Sequence, residues 1–280
     1  MRWQLPPQGP QAPMKRLSIT IITKNEAGNI SECVRSCRFA DEVVVVDNGS
    51  TDDTVALARA EGALVHEMDW AGDGPQKNRA IDRATGDWFF SLDADERITP
   101  ALAAEIRAAI EHDGIDGYRV PRISMFAGRF MHHGGWRPDH TRRLARRGHA
   151  RYTDSWLHAH LRVEGRTGTL RESIVHYSYR NLDQVLQKLD RYSSDGAREM
   201  QARGRKGSLG GAVAHGLWAF VRTYVLRGGF LDGRFGFMLA VFNAQTTYYR
   251  YLKLWLMQHP PMAANPAGSS IDELASRQGE

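Results

Sequence analysis

The sequence predicts an α/β protein, with a parallel sheet of βαβ units between Leu17 and Asp95 and helices at its C-terminal end. Three observations carry this expectation. Short runs rich in Val, Ile and Phe recur between Leu17 and Asp93, continuous enough to be buried on both faces. Helical patterns lie between them, as parallel crossovers require. From Asn181 onward, apolar positions follow helical spacing over long stretches. With 42% hydrophobic and 25% charged among 280 residues, the chain has material for a substantial core and is neither disordered nor collagenous.

Taken in order, Leu17–Thr23 reads as a strand, Asn29–Arg38 as a helix, and Glu42–Asp47, with its consecutive valines, as a buried strand. A helix from about Thr51 to Glu61, a strand over Ala63–Glu67 and a helix near Pro75–Ala84 lead to a fourth strand, Trp88–Asp93. This half is Rossmann-like. A fourth helix opens at Thr99-Pro100, where threonine can cap and proline suits the first helical position. Between Tyr118 and Tyr179, shorter strand-like pieces such as Tyr118–Ser124 and Ser173–Tyr179 are broken by Gly and Pro, and the architecture turns to α+β. Helices follow over Asn181–Arg203, Leu209–Leu226 and Phe235–Leu256, with a Gly-rich turn at Arg227–Gly233. The apolar and aromatic residues of that last helix suit either plain core or an interfacial surface flanked by Arg222, Arg227, Arg234, Arg250 and Lys253. Cys33 and Cys37, four apart, match neither a metal-site spacing nor a disulfide framework, and read as buried packing groups in a reducing compartment.

The N-terminal MRWQLPPQGPQAPM lacks the apolar core of a signal peptide and reads as a tail. The longest uncharged stretches, residues 207–221 and 235–249, are too short to span a bilayer. Charge is unevenly spread. From Arg119 to Arg151 there are nine arginines against the single acid Asp139, a net of +8 that exceeds the +5 of the whole chain. Such a segment suits phosphate, an anionic membrane face or nucleic acid, and the alternative is a solvated, loosely paired surface. Arg137, Arg142, Arg143, Arg146 and Arg147 are the residues expected to meet a phosphorylated acceptor or an anionic bilayer. Nucleic acid is disfavoured, because the run lacks regular aromatic interleaving and a recognised binding motif.

In parallel α/β sheets, ligands bind beyond the carboxyl ends of the strands. Those ends carry Thr23-Lys24-Asn25-Glu26, Asp47 through Thr51, and Asp93 through Glu96. Such groups suit a ligand rich in hydroxyls and phosphates with a metal between. No G-x-G-x-x-G follows the first strand and there is no Walker lysine loop, which disfavours dinucleotide and P-loop chemistry. Asp93 and Asp95 project to the same side if strand geometry persists, and hard oxygen donors at that spacing suit Mg²⁺ or Mn²⁺ completed by substrate phosphates. By itself D-x-D is equally a turn or cap feature; its place after the fourth strand singles it out.

Four ordered blocks, ITIITKNEAGNI (19–30), VVVDNGSTDDT (44–54), GPQKNRAI (74–81) and FSLDADE (90–96), closely resemble the nucleotide-sugar domain of the family 2 glycosyltransferases. Downstream, HHGGWRPDHTRRLARR (132–147), HYSYRNLDQVLQKLDRYS (176–193) and RGGFLDGRFGFMLA (227–240) resemble the subgroup that adds a sugar to the lipopolysaccharide inner core, the β-1,4-glucosyltransferases. The resemblance covers residues 16 to 257. It implies a GT-A, Rossmann-like nucleotide-sugar domain with a mixed central sheet over residues 16–179. It also implies a C-terminal helical extension, associated with acceptor or membrane, over 180–257. Disordered tails are expected at 1–15 and 258–280.

The implied activity is inverting, metal-dependent transfer of a hexose, glucose first, from a UDP-sugar to a lipid-anchored saccharide, by a cytoplasmic protein peripheral on the anionic inner-membrane surface. Carried over residue by residue, Thr23, Asn25 and Glu26 line the uridine pocket and Asp47 accepts from the uracil ring N–H. Lys77 faces the diphosphate or ribose, Asp93 the ribose, and Asp95 ligates Mg²⁺ or Mn²⁺. Asp47 could instead serve the Asn48-Gly49 turn, and Lys77 could be a solvated helix-face residue. Where relatives carry a Glu after the histidine of Trp156-Leu-His-Ala-His160, this chain has Ala159, which leaves Asp139, His158 and His160 as candidates for the general base. A neutral imidazole suits proton abstraction near neutral pH, whereas arginines around Asp139 would weaken it as a base. A polyprenyl-phosphate sugar synthase, or a weakened binding or scaffold protein on the same fold, are the alternatives.

Overall fold

The computed structural model describes residues 14–155 and 159–259. His158 and most of the two expected tails lie outside the described residues. The chain divides into two compact units, one taking residues up to His132 together with Trp136–Arg180, the other taking His133–Gly135 and the chain from Asn181 onward.

In the first unit the elements run β1 (Leu17–Thr23), α1 (Ile30–Ser36), β2 (Glu42–Asp47), α2 (Thr54–Ala60), β3 (Leu64–Glu67), α3 (Asp73–Arg83), β4 (Trp88–Asp93), β5 (Glu96–Arg97) and α4 (Pro100–Glu111). After them come β6 (Gly117–Phe126), β7 (Arg129–Phe130), β8 (Asp139–Arg146), β9 (Ala150–Tyr152), β10 (Leu161–Val163), β11 (Thr167–Thr169) and β12 (Ile174–His176). Their main sheet has the order β3-β2-β1-β4-β8-β6-β12-β5, while β9 and β10 pair separately. The first four positions are parallel; β8 then pairs antiparallel with both β4 and β6. The expected βαβ half and mixed sheet are both present.

The sequence explains the parallel half locally. Leu17, Ile19 and Ile21 of β1 and Val44, Val45 and Val46 of β2 are fully buried, and β1 is covered on both sides as its near-continuous apolar run requires. α4 begins as expected: the Thr99 side chain accepts from the Leu102 amide at 3.1 Å and Pro100 occupies the first turn. Leu102, Ile106 and Ile110 of that helix join β1, Trp88 and Phe90 in one core, together with Cys33 and Cys37, both free and buried. Register sets the site: Thr23 of β1 lies beside Asp47 of β2, and Ile22 beside Asp93 of β4. Three chain segments therefore end at one edge.

β8 is a departure from the sequence reading. The arginine run, expected to meet phosphate or an anionic bilayer, passes there through a strand inside the sheet, with Arg143, Leu144 and Ala145 buried. Arg143 is consequently withdrawn from any membrane or acceptor phosphate. Arg147 Nε donates to the Gly86 carbonyl at 2.7 Å, and the Arg146 guanidinium sits 5.8 Å from the Trp88 ring centre.

The second unit holds α5 (Leu182–Ala202), α6 (Leu209–Val221) and α7 (Gly233–Gln258), with a π-helical turn at Arg222–Leu226 and a 3₁₀ turn at Gly229–Asp232 between the last two. α5 is capped by Asn181, which accepts from the Gln184 amide at 3.0 Å, and α6 by Ser208, which accepts from the Gly211 amide at 3.0 Å. Lys253 of α7 ties to Asp190 of α5 at 2.6 Å. The expected helix over Leu209–Leu226 thus exists but widens to π geometry in its last turn.

Candidate donor site at the strand ends

The loops leaving β1 and β2 are laced together by short polar side chains. Asn25 takes the left-handed conformation, φ 54°, which asparagine tolerates better than most residues. Its side-chain Oδ1 accepts from the Thr51 amide at 2.8 Å, and its backbone amide donates to Ser50 Oγ at 2.8 Å. The Glu26 amide donates to Thr54 Oγ1 at 2.8 Å, while its carboxylate accepts from Asn29 Nδ2 at 2.6 Å. Asp47 is buried and accepts from the Gly49 and Ser50 amides at 2.9 and 2.8 Å and from the Ser50 hydroxyl. Its carboxylate therefore shapes the turn.

Against these loops lies a cavity of about 450 Å³ lined by Thr23, Glu26, Asn48, Trp70, Asp93 and Asp95 among others. It gathers four of the residues singled out from the sequence. Asn25 and Asp47 do not line it and brace the loops that do. Thr23 is 3% exposed, and its hydroxyl is buried with no hydrogen-bond partner among the described residues. A buried, unsatisfied hydroxyl is costly, and a ligand in the cavity would satisfy it. A larger groove of about 720 Å³ runs between α1 and α4, but none of the predicted site residues lines it. Its Arg35 is paired with Glu61 and its Arg107 with Asp41.

Beneath the cavity is a chain of alternating charges. Lys77 of α3 reaches Asp73 at 3.2 Å and Asp93 at 3.5 Å, and its ammonium lies 5.3 Å from the Tyr152 ring centre. Arg143 bridges Asp93 at 2.6 Å and the fully buried Glu96 at 2.9 Å; Arg122 bridges Glu96 at 3.2 Å and Asp139 at 2.7 Å. Burial by itself would push Asp93 up, but the Arg143 guanidinium and then the Lys77 ammonium override it, holding the carboxyl well below the usual range. Burial likewise opposes charge on Lys77, and Asp93 outweighs it, keeping the ammonium protonated above its ordinary value. Lys77 is thus a fixed cation rather than a solvated one.

Asp95 belongs to a different pair. Its Oδ2 lies 3.2 Å from His176 Nε2, while the other ring nitrogen, Nδ1, is 2.9 Å from the Ser124 hydroxyl. Among the described residues no cluster of three or more metal-binding side chains occurs. A carboxylate oxygen beside an imidazole nitrogen fits a divalent cation that takes one or two protein ligands and completes its shell from phosphate oxygens. Ser124 would orient the ring from behind.

A family model described as Glycosyl transferase family 2 matches residues 18–177, more than half of the chain. The chain belongs to glycosyl transferase family 2. Over 257 residues it is 30% identical to an uncharacterized glycosyltransferase of Rickettsia prowazekii (strain Madrid E), covering 86% of this chain and 87% of that one. Over 261 residues it is 31% identical to the lipopolysaccharide core biosynthesis glycosyltransferase LpsC of Rhizobium meliloti (strain 1021), covering 85% and 94%. Glucosyl-3-phosphoglycerate synthase from Mycobacterium tuberculosis, solved in complex with Mn²⁺, UDP and glucosyl-3-phosphoglycerate, aligns with a TM-score of 0.34 and 25% identity over 41% of this chain and 45% of that one.

In this family 2 chain the base candidates are distributed unevenly. His158 lies outside the described residues, but both of its described flanks are tied to the first turn of α3: the Gly74 amide donates to the Ser155 carbonyl at 3.0 Å, and the Ala159 amide to Asp73 Oδ2 at 2.9 Å. The His160 amide donates to Thr153 Oγ1 at 3.1 Å, and its side chain is exposed. Asp139 sits at the far end of the charge chain, paired with Arg122. Sequence reasoning missed the roles of Glu96, Arg122 and His176, and took Arg143 for a contact to an acceptor phosphate or a bilayer rather than the partner of Asp93 and Glu96. Glu96 stood in the quoted block FSLDADE, and its place three residues after Asp93 was the available signal.

Proposed function

We propose that this glycosyltransferase moves a hexose, glucose in the first instance, from a UDP-sugar to the saccharide of a lipid-anchored acceptor of lipopolysaccharide inner-core type. Transfer inverts the sugar carbon and takes place at the cytoplasmic face of the inner membrane. The observation that carries the donor half is the strand-end cavity, where an unsatisfied Thr23 hydroxyl, Glu26, Asp93 and Asp95 converge. The acceptor half is supported by identity to LpsC over most of both chains.

In this reading Thr23 and Glu26 face the uridine, and Asn25 and Asp47 act on it through the loops they brace. Asp93 faces the ribose, held ionised by Arg143 and Lys77. Lys77 adds a permanent positive charge toward the diphosphate. Asp95 and His176 would hold Mg²⁺ or Mn²⁺, which when bound neutralises charge developing on the departing diphosphate. The proton of the acceptor hydroxyl is assigned to His158, with Asp139 as the alternative. General base catalysis is commonly worth ~10² to 10⁴-fold, so His158→Ala should lower kcat by that order with donor binding unchanged. Near wild-type turnover in His158→Ala together with an inactive Asp139→Asn would transfer the role to the aspartate.

The deciding experiment is a panel of nucleotide sugars scored by nucleotide release, with a heptose-containing saccharide, with undecaprenyl phosphate, and with neither. UDP release from UDP-glucose that rises with the saccharide is the expected result. Transfer to undecaprenyl phosphate alone would make the chain a polyprenyl-phosphate sugar synthase. Absence of both transfer and donor hydrolysis would make it a binding protein.

A further inference from the structure

The second unit presents an unusual helix. α6, Leu209–Val221, contains no charged residue, yet it is not buried all round as an uncharged helix normally is. Its inward face is made of small residues: Ala212, Gly216 and Ala219 are buried, and a Cβ added at Gly216 would meet Tyr248 Cβ at 3.1 Å. Close approach to α7 thus uses up the small side, and the large side chains turn outward. Leu209, Val213, Leu217 and Trp218 are 50 to 65% exposed. The same surface chemistry continues through the turn, where Val225, Leu226, Phe230 and Leu231 are 51 to 63% exposed, and into α7 at Phe237, 48% exposed. Soluble proteins rarely leave so many neighbouring large apolar groups in water.

Charge selects what covers this surface. Between Arg205 and His259 there are seven Lys and Arg residues and one acid, Asp232, a net of +6. Arg222, Arg227 and Arg234 flank the apolar turn and are exposed. Asp232 is turned away to His133, whose Nδ1 it meets at 2.9 Å. A second copy of this surface would set like charge against like, whereas an anionic leaflet accepts the apolar groups and attracts the arginines together. No helix among the described residues is long and apolar enough to cross a membrane, so the geometry suited to this surface is one lying in the interface.

We infer that the outward face of α6 and the turn that follows it form a monotopic docking surface, inserted into the headgroup region of an anionic bilayer and held by Arg222, Arg227 and Arg234. This deepens the membrane-face location proposed above, and lipid binding is measured apart from sugar transfer.

The test is flotation of the full chain with phosphatidylcholine vesicles and with phosphatidylcholine–phosphatidylglycerol vesicles. The wild type should bind the anionic vesicles at least ~10-fold more tightly, as surface charge attraction predicts. Leu217→Ser with Trp218→Ser should lower that binding by ~10-fold or more, since each removes apolar area from the inserted face. Phe230→Ser with Leu231→Ser, in a separate segment, should do the same, so that misfolding of one variant does not decide the matter. Arg222→Glu with Arg234→Glu should abolish the preference for anionic vesicles. Donor hydrolysis in lipid-free buffer should be unchanged in all three, which separates this proposal from the assignment of the reaction. Equal binding to both vesicle types, or wild-type binding by both serine pairs, overturns it. So does a concentration-dependent dimer in lipid-free solution that the Leu217 and Trp218 substitutions dissolve, since the face would then be a contact between copies.

Discussion

Arg143→Met removes the cation that Asp93 and Glu96 share. Arg143 is 6% and Glu96 0% exposed, and the guanidinium meets them at 2.6 and 2.9 Å. Methionine fills comparable space with an adaptable apolar chain, so the main loss is the stranding of two carboxylates rather than a cavity. Removing one partner of a buried ion pair costs ~3 to 5 kcal/mol. Glu96 keeps Arg122 at 3.2 Å and Asp93 keeps Lys77 at 3.5 Å, which argues for the lower end. The pH dependence adds a sign. In the wild type the Asp93 carboxyl sits below its ordinary value, so the stability it contributes is complete above ~3.9 and is lost as pH falls through the folded value. Without Arg143, burial, the leading influence on Asp93, acts against the ionised form, so the variant is penalised at neutral pH and relieved by acid. The gap between the two proteins should therefore be ~3 kcal/mol near pH 7 and shrink toward pH 4.5. Urea unfolding at both pH values measures it, with Glu96→Gln and the double variant closing the cycle. A gap under ~1 kcal/mol at pH 7, or one that widens on acidification, would refute the charge-chain account.

Asp95→Ala and His176→Ala should each lower turnover by ~10² or more and weaken Mn²⁺ binding followed by electron paramagnetic resonance; full activity in excess EDTA would sink the metal assignment. Gly74→Val should destabilise the first unit by at least ~1 to 3 kcal/mol in urea unfolding, because a Cβ there would lie 1.8 Å from the Thr153 carbonyl oxygen. Asn25→Ala should cost ~1 to 2 kcal/mol of backbone strain beyond its lost hydrogen bonds, whereas Asn25→Gly should lose only the bonds; equal costs would show that φ 54° is not what selects asparagine.

The parallel half was legible because the apolar runs of β1, β2 and β4 are largely buried, with β3 a half-exposed edge strand, and because each intervening helix is long enough to cross over. The strand ends were legible for the same reason, since a correct register places Thr23, Asp47 and Asp93 on one edge without further information. β8 was not, because arginine looks like surface until its counter-charges are known, and those of Arg143 lie 50 and 47 residues earlier. His176 was hidden by the same distance, 81 residues from Asp95. For α6, periodicity is silent: a helix apolar on every side carries no mark of which side faces in, and the small residues that decided it matter only beside Tyr248 of α7.

The arginine threaded into the sheet bears on how the protein is made. Asp93 and Glu96 leave the ribosome well before Arg143, which follows Asp93 by 50 residues. At ~5 to 20 residues per second that is a wait of roughly 3 to 10 seconds, during which β4 lacks its antiparallel neighbour and its acidic end has Lys77 but not the arginine. The nascent first hundred residues therefore form an unfinished sheet with an open edge at Phe89 and Phe90, a place where chaperones or misassembly compete. A fragment cut before β8 should be poorly soluble, although every residue lining the strand-end cavity is present in it.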